Sequence, residues 1–199
     1  MAANSSSTPT TRLATLADLL AIPEAERFHE ILDGELLPKE LAGPQHALGQ
    51  GSVRGWLTPF QRRPSGPDRP GGWWILTEVT IELAPHQVER PDVAGWRRER
   101  MPQVPAAFPL RLRPDWICEV LTDSDGRRRD GLQKRRIYAD HQVPHYWLLD
   151  MERQVLTVLR LTERGYIECL EAGRGERVHA EPFAARELLV GELFGDDAE

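Results

Sequence analysis

From 73 to 83 the chain alternates, with Ile75, Thr77, Val79, Ile81 and Leu83 on one side. A period of two predicts one strand with one buried face. Residues 88–96 read as the next strand, reached through 84–87. Trp116–Leu121 is apolar apart from one carboxylate, and its length suits a short buried strand. Residues 145–150, 155–161 and 166–171 read as three more strands, the last two forming a hairpin around 163–165. Two shorter strands within 28–37 flank Asp33-Gly34, a dipeptide that favours a tight hairpin turn. Helical spacing appears at 15–21, with Thr15 as its cap, and at 127–140. It appears again at 45–60, where His46, Gln50, Val53, Leu57 and Phe60 recur, although Gly49, Gly51 and Gly55 weaken that helix. Residues 182–194 are expected to form a C-terminal helix, and 63–72 and 97–113 loops. Strand, helix, strand from 116 to 150 is a crossover unit, which favours parallel pairing. The hairpins add antiparallel pairs, so the expected fold is α/β with a mixed β-sheet flanked by helices.

A chain of 199 residues suits one domain. We expect 13–199 to form it, behind a disordered, polar tail at 1–12. The net charge of −6 excludes a protein that coats nucleic acid through bulk charge, but not one with a local basic patch. Cys118 and Cys169 both sit in apolar stretches, without the spacing of a metal knuckle, and read as buried free thiols of a reducing cytoplasm. No apolar stretch approaches a membrane span, and no signal peptide is visible, so a cytoplasmic location is expected.

The chemistry concentrates around Glu119. In a strand Ile117, Glu119 and Leu121 share a face, and a carboxylate among apolar residues is costly unless it is paired or binds a metal. An ion pair with an arginine is one reading; a metal ligand is the other. Asp92 follows Pro91, which removes a backbone donor and suits an edge or a bulge. Either Asp92 caps a strand-end turn, or two neighbouring strands bring it to Glu119. Paired oxygen ligands of that kind suit Mg²⁺, and carboxylates suit Mn²⁺ as well. Asp130, Lys134 and Tyr138 are spaced to share one helix face. Asp130 and Lys134 could be a surface pair, or the helix could aim Lys134 at the two acids, to position a water or offset phosphate charge. Arg127, Arg128, Arg129, Arg135 and Arg136 crowd the same helix, with Arg97, Arg98, Arg100, Arg111 and Arg113 in the preceding loop. That is either a solvated face or a surface for a phosphate backbone.

The order of these features resembles the Uma-two family of restriction-endonuclease-like proteins, a bacterial branch of the PD-(D/E)XK nuclease superfamily. The matching residues are Phe28-His29-Glu30, Asp33-Gly34-Glu35, His46, Pro91-Asp92-Val93, Pro114-Asp115 and Glu119-Val120-Leu121-Thr122. Asp130, Lys134, Tyr138 and the run from Val143 to Asp150 complete the set. The resemblance implies a restriction-endonuclease-like fold, with Asp92 and Glu119 as the acids that hold Mg²⁺ or Mn²⁺. The superfamily's lysine usually lies two residues beyond the second acid. That position is Leu121 here, and the resemblance carries the role to Lys134 on the following helix. Glu30 matches a further acidic position that could touch the metal or its waters. His46 matches a histidine that could contact phosphate or water, with a core-facing histidine as the alternative. Arg127 and Arg128 are the candidates for phosphate contact. Thr122-Asp123 replaces the family's usual Ser-Pro, and His145 stands where glutamate is common; neither removes a ligand.

The function expected is metal-dependent hydrolysis of phosphodiester bonds in DNA. Two alternatives stand beside it. One is a catalytically silent nuclease fold that binds nucleic acid or a partner, with some of the six tryptophans used for stacking or an interface. The other is a structural dimer. No separate recognition domain is visible, so high sequence specificity would require a partner or a homodimer.

Overall fold

The computed structural model describes residues 12–39, 43–63 and 71–197; the tail expected at 1–12 lies, apart from Arg12, outside the described residues. Near the N-terminus, α1 (Leu16–Leu20) is capped as its sequence predicts. The Asp18 carboxylate accepts the Thr15 backbone N–H at 2.8 Å, and Thr15 reciprocates. A hairpin of β1 (His29–Leu32) and β2 (Glu35–Pro38) turns at Asp33 and Gly34, with φ of 53° and 80°. Both values are left-handed, as a two-residue hairpin loop of this kind requires.

The run 73–83 is two strands rather than one. β3 (Trp73–Thr77) belongs to one sheet and β4 (Ile81–Ala84) to another. Glu78 takes a positive φ of 53° and breaks the run. The odd-numbered apolar positions resume beyond the break in the same phase, so a period of two does not register the change of sheet. Residues 88–96 divide likewise, into β5 (Gln87–Glu89) and β6 (Val93–Arg97), with Arg90-Pro91-Asp92 between them. Pro91 cannot donate to a ladder, so pairing ends there. The two breaks meet: the Glu78 N–H donates to the Asp92 carbonyl at 3.3 Å. Both strand runs therefore pass from sheet to sheet at one corner.

The first sheet is antiparallel, in the order β2-β1-β5-β4. The second has six strands, β10-β9-β8-β7-β6-β3, built from β7 (Trp116–Leu121), β8 (His145–Asp150), β9 (Val155–Thr162) and β10 (Gly165–Gly173) together with β3 and β6. β7 and β8 are parallel and all other pairs are antiparallel, so the fold is mixed α/β as expected. The crossover joining β7 to β8 is helical from Ser124 to Asp140, three residues longer at its start than the pattern predicts. It runs as α3 (Ser124–Arg128), a π-helical stretch (Arg129–Lys134) and α4 (Arg135–Asp140). The expected C-terminal helix at 182–194 is absent. β11 (Arg177–Val178) pairs with β12 (Leu188–Leu189), and a 3₁₀ turn (Val190–Phe194) follows. Phe183, Leu188, Val190, Leu193 and Phe194 are buried while 184, 185 and 187 are exposed, a spacing that fits a chain laid across the sheet rather than a helical stripe.

The six-stranded sheet has a core on each face. One holds Trp73, Trp116, Cys118, Val120, Trp147 and Phe183 beneath α2 (Pro44–Trp56); the other holds Trp96, Ile117, Ile137, Tyr138, Tyr146 and Leu159. Gly49 lets α2 lie flat on the sheet. A Cβ there would stand 2.6 Å from the Met151 sulfur and 3.0 Å from Val120. The glycine that weakens the helical pattern is thus the one that allows its close approach, and the same helix face carries His46 and Gln50 toward the corner. Among the described residues, no helix is long and apolar enough to cross a membrane.

Candidate active site

The corner between the sheets supplies Asp92. Released from the ladder by Pro91, its backbone N–H donates to Glu119 Oε2 at 3.2 Å. Its carboxylate turns the same way: Oδ2 accepts the Val120 N–H at 2.7 Å and lies 3.0 Å from His46 Nε2. Oδ1 accepts from Lys39 Nζ at 2.7 Å. Both acids are almost fully buried.

Glu119 leaves β7 on the side of the crossover helix. Its Oε1 accepts from Lys134 Nζ at 3.1 Å and from the Tyr138 hydroxyl at 2.8 Å. Lys134 Nζ also donates to Glu30 Oε1 on β1 at 2.9 Å and lies 3.4 Å from Asp130. The face shared by Asp130, Lys134 and Tyr138 is therefore turned inward, and their contact is a buried cluster rather than a surface pair. The π-helical stretch ends at Lys134.

Asp92, Glu119, Lys134, His46 and Asp130 line one small cavity of about 40 Å³, together with Lys39, Thr122, Asp123 and Arg129. That is room for one or two waters. Glu30 reaches the group through Lys134. Arg127 points elsewhere, pairing with Glu152 at 2.7 Å and lying 3.5 Å from Asp150. Arg128 is exposed and lines a neighbouring open groove with Arg129 and Arg136.

The electrostatics are uneven. Five carboxyl groups are buried here (Glu30, Glu89, Asp92, Glu119 and Asp130), against the ammoniums of Lys39 and Lys134. Burial pushes Asp92 up, but Lys39 and then His46 hold it below the usual carboxylate range. Burial pushes Glu119 up to about 8; Lys134 opposes the shift and the charge on Asp92 adds to it. Burial would lower Lys134, yet Glu119, Glu30 and Asp130 raise it well above the usual lysine value, so it stays charged. His46 is raised as well: burial works against its charged form, and the bond to Asp92 outweighs it.

The oxygen-rich lining fits a hard divalent cation. Among the described residues, however, no three Asp, Glu, His or Cys side chains already stand as a ready ligand group. The ammoniums of Lys39 and Lys134 occupy lone pairs of both acids.

Residues 16–190 match the Uma2 family, described as "Putative restriction endonuclease". The chain belongs to this family. For this Uma2 protein, a solved structure also gives a likeness of fold, that of "a putative nuclease belonging to DUF820" from Anabaena variabilis. The two are 20% identical with a TM-score of 0.67, over 90% of this chain and 97% of the other. No curated protein matches the chain.

Two buried charged residues in and around this cavity escape sequence reasoning. Lys39 follows a short edge strand with no apolar pattern to mark it. Its signal is compositional: of the 25 basic residues only two, Lys39 and Lys134, are lysines. Glu89 occupies an inward position of β5, fully buried, with neither carboxylate oxygen hydrogen-bonded, and burial raises it well above the usual range. Nothing in its neighbours distinguishes it from a solvent-facing strand residue.

Proposed function

We propose that the protein is a Mg²⁺- or Mn²⁺-dependent endonuclease that hydrolyses phosphodiester bonds of DNA, with 13–199 acting as one endonuclease-like domain. One observation carries the reading. Asp92, at the corner just before β6, and Glu119 on β7 line a single cavity, and Lys134 reaches Glu119 at 3.1 Å. Asp92 and Glu119 would hold the cation, with Glu30 held nearby through Lys134. When bound, it would polarise the scissile phosphate and acidify a water. Lys134, fixed by Glu119 and Glu30, would position the attacking water and offset charge gathering on the phosphate. His46, whose charged form the Asp92 carboxylate favours, would hold a phosphate oxygen. Arg128 and Arg129 would guide the backbone toward the cavity. Cys118 is buried as expected, whereas Cys169 on β10 is exposed; both are free thiols, which suits a protein of the cytoplasm.

The test is nicking of supercoiled plasmid by purified protein in Mg²⁺, Mn²⁺ or EDTA, beside Asp92→Ala and Lys134→Ala. The expected result is metal-dependent nicking that both substitutions abolish. Nicking that survives both would refute the assignment. A second reading, a nuclease fold that holds nucleic acid without cutting, is favoured by one fact: both acids are already satisfied by lysines. Tight DNA binding with no cleavage in any metal would select it.

A further inference from the structure

The chain meets nearly every need for positive charge with arginine. Its two lysines, far apart in sequence, are both buried and both donate to the acid pair, Lys39 to Asp92 and Lys134 to Glu119. Arginine presents a broad planar fork, whereas an ammonium is a compact point charge on a flexible stem. In such a chain, lysine at both of these buried positions supplies the smaller of the two cations.

The surroundings of Lys39 say what that cation replaces. Its Nζ donates to Asp92 Oδ1 at 2.7 Å, to Glu78 Oε2 at 3.1 Å and to the Arg90 carbonyl. Two carboxylates and a carbonyl around one charged atom are the oxygen donors that a hard divalent cation also takes. Lys39 lines the same cavity as Glu119 and Lys134. Its backbone is tied down, with its N–H donating to the Phe28 carbonyl at 2.9 Å, so the ammonium is delivered from a fixed point. Asp92 Oδ2 is already engaged by Val120 and His46, which leaves Oδ1 as the oxygen for an incoming cation.

We propose that Lys39 is a tethered stand-in cation, a positioning residue that competes with the divalent metal for Asp92 Oδ1 and so sets the protein's affinity for that metal. The proposal rests on the reading of Asp92 as a metal ligand. Without metal, the ammonium keeps a buried carboxylate from standing uncompensated. With metal, it must yield the oxygen or share it against a repulsive charge.

The test is calorimetric titration of the full-length protein with MnCl₂, for wild type, Lys39→Met, Lys39→Gln, Lys39→Arg and Asp92→Asn, each checked for folding by its melting curve. Lys39→Met and Lys39→Gln are expected to bind Mn²⁺ at least tenfold more tightly than wild type, and Lys39→Arg no more tightly. Should Lys39→Met fail to fold, Lys39→Gln keeps a donor toward Asp92 and carries the same expectation. Binding in folded Lys39→Met or Lys39→Gln that equals or falls below wild type overturns the proposal. If wild-type binding is then still lost in Asp92→Asn, the metal reading stands without it. If neither wild type nor the Lys39 variants bind Mn²⁺, both fall together.

Discussion

β7 has two faces that share a backbone and nothing else. On one, Trp116, Cys118 and Val120 join an aromatic cluster in which Trp116 meets Trp147 at 5.3 Å and Phe183 at 5.1 Å. On the other, Ile117 is followed by Glu119, and the apolar surface gives way to a nest of carboxyls and ammoniums. The first face buries surface that water rejects and gains from each contact. The second buries charge, which costs more than pairing returns unless something further is held there. A fold that keeps both on adjacent residues draws its stability from one side and keeps its chemistry on the other.

Trp147→Ala should produce the largest effect on the apolar face. It removes a fully buried ring from the centre of the cluster, at a cost of about 3–5 kcal/mol. Urea unfolding would measure the loss, and cleavage per folded molecule should persist. Lys134→Met should instead affect cleavage and stability together. Cleavage should fall about a hundredfold or more, with a stability loss of about 3 kcal/mol at pH 8.5 from stranded carboxylates. That loss should shrink at pH 5.5, where Glu119, pushed up to about 8, takes up its proton. An equal loss at both pH values would break the contrast between the faces.

Glu119→Gln gives a smaller effect with a definite sign. The folded state holds the Glu119 proton to about pH 8, whereas the unfolded chain releases it near the ordinary value of 4.5. Its contribution is therefore complete below pH 4.5 and is lost as pH rises through 8. Glu119→Gln should flatten the decline of stability across that window by up to about 1.4 kcal/mol per pH unit, read from denaturation midpoints at several pH values. His46 and Glu89, raised too, would leave some slope behind. The smallest effect should come from Glu89→Met. It replaces a buried carboxyl without hydrogen bonds by a side chain of similar length and should raise stability by about 1 kcal/mol, visible as a higher melting temperature.

Much of this was legible because local chemistry and tertiary structure agree. Asp33-Gly34 names its own turn, and the apolar run around Glu119 its own burial. Pro91 points to an edge or bulge beside Asp92, although 88–96 reads as one strand where the structure has two, and the spacing of Asp130, Lys134 and Tyr138 survives the π-helical stretch. What stayed hidden depends on distant contacts. The alternation through Val79 keeps its phase across a change of sheet, so the corner that builds the site is invisible to periodicity. The C-terminal segment is apolar enough for a helix, but Phe183 is drawn into the aromatic cluster and the chain follows it. Lys39 approaches Asp92 only when β2 folds back along β1, and no local pattern encodes that return.

The most direct test of the central claim is a crystal soaked in Mn²⁺, with anomalous scattering locating the ion. The account predicts one peak bound by the carboxylates of Asp92 and Glu119, absent in Asp92→Asn. A wild-type crystal with no peak there, and both ammoniums still bonded to the two acids, would contradict it.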